Sequence, residues 1–497
     1  MSMKRFLIGA ALITFSAPVI GAETLRLAMP DPQPVLAADA DAGRKSSARF
    51  AVAIPIDVTP QSHGTWLRAD GVSTWQLDIE VAGALNLNLG FSKFRLPPAT
   101  VLTVVGNNGN ELTFGRDQDL QGQLWTPVVS GDRVRISLTG PSDVASEAQF
   151  LLHAVNAGFR PFHAGEQSTA KAASCHVNAA CDRGAWSRER RSVARITANG
   201  VLYCTASLLN NTAGDRTPLL LTANHCVATP AQAAATVVYW KHEASSCSGF
   251  GHDPGIFQVG AVLLATSARN DFTLMRLIAD PPPEADAYFS GWDKRAQQWT
   301  SVTGLHHPAN GARRISHFAG TTDFAGVTVS AYSEPDFVGS QVSPVFHYIP
   351  SWTKGMVEGG SSGSGLWNAQ HRLVGQLSGS VAECTGSSTS RGASWYGRFD
   401  LNWTDAPTPA TSVAIWLDPL GTGEQFVDGV EAAGDSVKQV PAEGAGDQAP
   451  GAGGSMAVMA LSFLMLLAAL KSFRLRAPVC APCGVVCGDR TGAARSA

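Results

Sequence analysis

Apolar and polar residues alternate through the first third of the chain. Ser73-Thr74-Trp75-Gln76-Leu77-Asp78-Ile79-Glu80-Val81 and Asp132-Arg133-Val134-Arg135-Ile136-Ser137-Leu138 both follow a period of two. That is the period of a strand with one buried face. Turns such as Gly106-Asn107-Asn108-Gly109 separate such stretches. The pattern predicts an antiparallel β-sandwich within residues 23–171. The small polar stretch Ala164 to Ala172 reads as an exposed linker, open to proteolysis. Strand-and-turn patterning resumes beyond it, as in Ala235-Thr236-Val237-Val238-Tyr239-Trp240, and continues to about residue 432. Residues 433–455, rich in Gly, Ala, Asp and Glu, read as a flexible stalk.

Two apolar runs break this pattern. Lys4 and Arg5, the run Phe6 to Ile20 and the small pair Gly21-Ala22 have the layout of a secretory signal over residues 1–22. The second run, residues 456–473, is long enough to span a bilayer. Arg474 and Arg476 follow it, which puts residues 474–497 in the cytoplasm and the main body outside. Gly453-Gly454 just before the run gives it the look of a GlyGly-type C-terminal sorting signal. That resemblance implies a rhomboid-like sorting protease and release to the cell surface or medium. The alternative is a permanent membrane anchor.

Composition narrows the classes. The 497 residues allow two or three domains. A net charge of -3 supplies no basic patch and argues against nucleic acid as a partner. Export implies an oxidising compartment in which disulfides persist. Six cysteines lie between residues 172 and 432: Cys175, Cys181, Cys204, Cys226, Cys247 and Cys384. Sequence alone does not choose among their pairings. Cys480, Cys483 and Cys487 lie past the apolar run and lack a fourth ligand for a metal. No metal or other cofactor is expected.

The candidate chemistry sits in three segments. They are Thr222-Ala223-Asn224-His225-Cys226, Asn270-Asp271-Phe272-Thr273-Leu274 and Glu358-Gly359-Gly360-Ser361-Ser362-Gly363-Ser364-Gly365. A serine hydroxyl needs a base to become a nucleophile, and histidine titrates near neutrality. A buried carboxylate fixes the imidazole tautomer. Glycines before the serine let backbone N–H groups face the developing oxyanion.

Taken in order, these segments resemble the chymotrypsin-like serine proteases, and within them the bacterial lysyl endopeptidases, over roughly residues 173–432. Shared stretches include Leu208-Leu209-Asn210-Asn211-Thr212, Val238-Tyr239-Trp240, Gly291-Trp292-Asp293, His306-His307-Pro308, Gly375-Gln376-Leu377 and Leu417-Asp418-Pro419. The resemblance implies an all-β fold: a chymotrypsin-like double β-barrel over residues 172–432, preceded by a β-sandwich pro-region. It implies a serine endopeptidase acting on proteins or peptides through an acyl-enzyme. His225 would be the base, Asp271 its orienter and Ser362 the nucleophile, with oxyanion donors on Gly360 and Ser362. It also implies the disulfides Cys175–Cys384, Cys181–Cys247 and Cys204–Cys226.

Departures from the family pattern concern specificity and activation. The aspartate of the lysine pocket falls on Ser394. A histidine of the lysyl endopeptidase branch falls on Ser378, and the trypsin-type specificity position is Met356. A lysine ammonium buried without a counter-charge is strongly disfavoured, so an uncharged residue before the scissile bond (P1) is expected. Glu358 or Glu383 would be the carboxylates of the alternative, a lysine- or arginine-specific enzyme. In chymotrypsin an aspartate before the nucleophile pairs with the new N-terminus; here that residue is Ser361. Activation is therefore expected to mean removal of the pro-region, with Lys171 as a cut position by analogy. Two other readings stay open: a non-catalytic adhesin on a protease fold, and an esterase. The missing strand–turn–helix nucleophile elbow counts against an α/β-hydrolase.

Overall fold

The computed structural model describes residues 22–432, apart from 42–47, 119–121, 144, 163–173, 183, 250, 253–254, 325–344, 387 and 405–407. The proposed signal, linker, stalk, sorting segment and tail cysteines lie largely or wholly outside the described residues. Among the described residues no helix is long and apolar enough to cross a membrane.

The predicted alternation is realised in the N-terminal part. Strand Val72–Val81 turns Trp75, Leu77, Ile79 and Val81 inward, each fully buried. It pairs with Arg133–Pro141, which buries Val134, Ile136 and Leu138. These belong to a six-stranded sheet. A five-stranded sheet built around Asn86–Arg95 and Gln149–Gly158 supplies Leu87, Leu89, Phe91, Leu152 and Val155 to the same core. Two sheets sharing one apolar interior form a sandwich.

The next sheet curls into a barrel. Its edges are Phe257–Val259 and Ala261–Ser267, and only Gly260 separates these strands in sequence. Opposite edges joined by one residue must meet, which closes the sheet. Gly260 turns the corner at φ +80°. Strands Leu202–Leu209, Leu219–Thr222 and Phe272–Leu277 run side by side here. The nine-stranded sheet that follows contains Val302–His306, Arg314–Phe318, Gly365–Asn368, Leu373–Ser380 and Ser394–Arg398. Isolated bridges from His317 to Lys354 and from Asp323 to Tyr348 draw the Phe346–Ile349 edge back toward Arg314–Phe318. An apolar cluster with Leu221, Phe272, Leu274, Trp292, Leu305 and Trp367 joins the two curled sheets. The chain is thus mostly β, with a few short helices.

The sandwich is not a separate bead. Strand Ala48–Arg49 pairs antiparallel with Leu202 and Tyr203, adding an edge to the first barrel sheet. The next residue continues the contact, with the Phe50 N–H donating to Val201 C=O at 3.0 Å. Phe50 and Phe162 from the N-terminal part pack with Tyr203 and Tyr239 of the barrel, all nearly inaccessible. Arg195 is wholly buried there, its guanidinium 4.0 Å from the Phe162 ring centre and donating to Phe162 C=O. Two asparagines add a polar seam. Asn156 Nδ2 donates to Asn88 Oδ1 at 2.9 Å, and Asn88 Nδ2 donates to Gly200 C=O at 2.7 Å.

Candidate active site

The three segments singled out in the sequence converge between the two curled sheets. His225 follows strand Leu219–Thr222, and Asp271 precedes strand Phe272–Leu277, the neighbour of that strand. His225 Nδ1 lies 2.7 Å from Asp271 Oδ2, and the His225 backbone N–H donates to Oδ1 at 2.9 Å. An ionised carboxylate accepts only, so Nδ1 carries the hydrogen and Nε2 is left as the base. Among the described residues Nε2 has no hydrogen-bond partner. Burial alone would raise the Asp271 pKa; the His225 charge and the converging donors outweigh it and hold the carboxyl below its usual value.

Asp271 sits at φ +55°, a left-handed conformation that aspartate tolerates better than most residues. A side-chain clamp holds this turn. Gln376 Nε2 donates to Asn270 C=O at 2.8 Å, Asn402 Nδ2 donates to Gln376 Oε1 at 2.9 Å, and Asn270 Nδ2 donates to Asn402 Oδ1. The clamp gathers three distant segments, and nothing in its sequence spacing announces it.

Ser362 is brought to the histidine side by Thr205. The Thr205 N–H donates to Ser362 C=O at 2.8 Å, and its hydroxyl donates to Gly360 C=O at 2.9 Å. The adjacent Cys204 is disulfide-bonded to Cys226, the neighbour of His225. The loop leaves no room for larger residues at two glycines. A Cβ on Gly360 (φ +93°) would stand 2.2 Å from the Tyr203 ring, and one on Gly363 (φ +79°) 2.2 Å from Thr222 Oγ1.

The loop also aims its amides. Gly359 C=O accepts the Ala309 N–H at 2.7 Å, and a trans peptide then sends the Gly360 N–H the opposite way. Ser361 C=O accepts the Ser364 N–H at 3.0 Å, which does the same for the Ser362 N–H. Among the described residues neither N–H has a protein acceptor.

Ser378, expected at the pocket wall, turns its hydroxyl to Asp271 Oδ2 and donates at 2.7 Å. Ser394 is fully buried; its hydroxyl accepts the Trp352 indole N–H at 3.0 Å and touches the Ser380 hydroxyl at 2.9 Å. Met356 is buried with its sulfur 2.8 Å from Cys175 Sγ. The two candidate carboxylates are engaged elsewhere. Glu358 lies 2.9 Å from His176 Nε2, and Glu383 faces Arg391 at 3.3 Å on an exposed hairpin.

The chain forms the disulfides Cys175–Cys384, Cys181–Cys247 and Cys204–Cys226. Cys204, His225 and Cys226 cluster within metal-ligating distance. Both sulfurs are spent in a disulfide, and a thiolate is what binds metal.

Comparison with known proteins agrees with this geometry. A family model described as "Lysyl endopeptidase, C-terminal domain" matches residues 169–397, a little under half of the chain. A lysyl endopeptidase of Pseudomonas aeruginosa is 27% identical over 363 residues, covering 66% of this chain and 73% of that protein. Among solved structures, a serine endoprotease of Yersinia pestis aligns with 12% identity and a TM-score of 0.28, covering 44% of this chain and 62% of that one. An M. tuberculosis protein in an inactive form aligns with 17% identity and a TM-score of 0.27, over 44% of this chain and 86% of its own. These two overlaps are too slight to carry an argument.

Proposed function

We propose that this chain, a serine-protease hydrolase by its matches and its site, is an exported endopeptidase made as a precursor. It cleaves peptide bonds through an acyl-enzyme on Ser362. His225 Nε2 takes the serine proton and returns it to the leaving amine. Asp271 holds the tautomer and stabilises the imidazolium. The Gly360 and Ser362 N–H groups receive the oxyanion. The observation that carries this reading is the Asp271–His225 pair with Nε2 left unpartnered beside a loop that keeps two amides free.

The P1 residue is uncharged, small or apolar. Support comes from the pocket candidates: Met356 is packed on a disulfide, Ser394 is bonded to Trp352, and Ser378 is committed to Asp271. Glu358 lies against His176 and Glu383 against Arg391. The lysine preference in the relatives' name therefore does not pass to this chain.

Three disulfides support export. The segment 456–473 acts as a sorting signal removed near Gly453-Gly454 by a rhomboid-like protease. Mass spectrometry of the released protein would show a C-terminus near residue 454; retention of residue 497 overturns this step.

A fluorophosphonate probe and a peptide library test the central reading together. Wild type should be labelled at Ser362 and cut after uncharged residues, and Ser362→Ala should do neither. An unlabelled, inactive wild type would favour the adhesin. Labelling with cleavage confined to simple esters would favour the esterase. Dominant cutting after lysine would overturn the P1 assignment alone.

A further inference from the structure

His306 is wholly buried, lies at the end of strand Val302–His306, and has no part in the reaction above. Its two ring nitrogens sit in a chain of hydrogen bonds whose direction can be worked out. The Ser316 hydroxyl donates to Met356 C=O at 2.9 Å. A hydroxyl has one hydrogen, so toward His306 Nε2, 3.1 Å away, Ser316 can only accept. Nε2 therefore carries the ring hydrogen and Nδ1 is bare. Nδ1 lies 2.8 Å from Ser361 Oγ and accepts its hydrogen. With that hydrogen used, Ser361 Oγ accepts the Glu358 N–H at 3.3 Å. One imidazole thus links a strand to the Met356 carbonyl, the Glu358 amide and the side chain directly before Ser362.

We infer that His306 is a positioning residue that holds the nucleophile loop in its productive shape. It does so with neutral hydrogen bonds, where chymotrypsin uses a buried ion pair to an aspartate at the position of Ser361. The inference rests on the assignment of Ser362 as nucleophile.

The surroundings suit a neutral ring. The His176 ring is 5.7 Å away, with its Nε2 2.9 Å from Glu358, and the Arg314 guanidinium is close by. Burial first, and then the neighbouring His176 and Arg314, push the His306 pKa well below the ordinary histidine value. All members of the relay lie between residues 302 and 361, so the loop does not wait for a newly cut N-terminus to become ordered. Processing then governs access to the site, not its construction.

The test uses the exported, processed protein and the variants Ser361→Ala, His306→Phe and His306→Gln. For each, kcat and KM on one peptide substrate are measured with the rate of fluorophosphonate labelling and the melting temperature. Loss of loop order disturbs oxyanion donors, which act chiefly in the transition state. Ser361→Ala and His306→Phe should each lower kcat about 10- to 100-fold, with KM within about threefold and labelling slowed in parallel. His306→Gln keeps one donor and one acceptor and should recover part of the loss. Adding Ser361→Ala to His306→Phe should cost almost nothing further, since the relay is already broken. If His306→Phe does not fold, Ser361→Ala carries the test. A folded Ser361→Ala with kcat within about twofold of wild type overturns the inference, as do losses that multiply in the double variant. A wild type that is neither labelled nor active would instead sink the assignment of Ser362.

Discussion

Removing the Ser378 hydroxyl probes how the Asp271 carboxylate is held. Asp271 is 3% exposed and accepts three hydrogen bonds, from the His225 amide, the His225 ring and Ser378. Ser378→Ala deletes one of the two bonds to Oδ2 and keeps the backbone pairing of strand Leu373–Ser380. A hydrogen bond to a charged group contributes about 1.5–3 kcal/mol. If most of that is felt as the imidazolium forms, kcat/KM should fall about 10- to 100-fold. The deficit should sit mainly in kcat, because Asp271 acts on the base and not on the bound peptide. Initial rates on a chromogenic peptide across pH 5–9, with a melting curve for each protein, supply the assay. A rate constant within twofold of wild type throughout would show that Asp271 needs only its two bonds to His225. A loss confined to KM would place Ser378 in the pocket after all.

Other outcomes follow from features already described. His306 and His307 are fully buried with pKa values well below normal, and burial takes His347 down to about 3. Each stays neutral in the fold while its unfolded counterpart protonates below about pH 6.5. Stability is therefore whole above that pH and falls as pH drops, by roughly 1 kcal/mol per unit for each histidine; a urea midpoint that stays flat from pH 7.5 to 5 would contradict this. Replacing Cys204 and Cys226 by serine opens a short loop and should cost about 3 kcal/mol, lowering the melting temperature by roughly 5–12 °C. Ser394→Asp places a carboxylate where Trp352 and Ser380 can hydrogen-bond it. It should raise kcat/KM at least about tenfold for substrates with lysine at P1; an unchanged library profile would show that the pocket floor lies elsewhere.

The three candidate segments stood out in the sequence because each has a distinctive local setting: a histidine beside a cysteine, an aspartate opening an apolar run, a serine among glycines. The sandwich strands were legible for a similar reason, since one buried face imposes a period of two. What escaped was side-chain direction. Ser378 occupies a position that the resemblance tied to the pocket, yet its hydroxyl turns to the carboxylate. The clamp of Asn270, Gln376 and Asn402 and the relay through His306 join residues far apart in the chain, and no spacing rule reaches them. Composition pointed to a linker after the sandwich, which lies outside the described residues, but gave no sign of the return of Ala48–Arg49 into the barrel sheet. A two-residue strand carries no periodicity to detect.

That short strand alters what cutting the chain would mean. Scission within residues 163–173 would sever the covalent path while leaving a shared β-ladder, the Phe50–Phe162–Tyr239 cluster and a buried arginine in place. The sandwich would pass from a tethered neighbour, held at a fixed effective concentration, to one member of a two-body equilibrium. Dilution would then decide how much of the barrel travels alone. At high concentration the two halves would stay together. At high dilution they would part, so the same cut molecule would behave differently with its concentration.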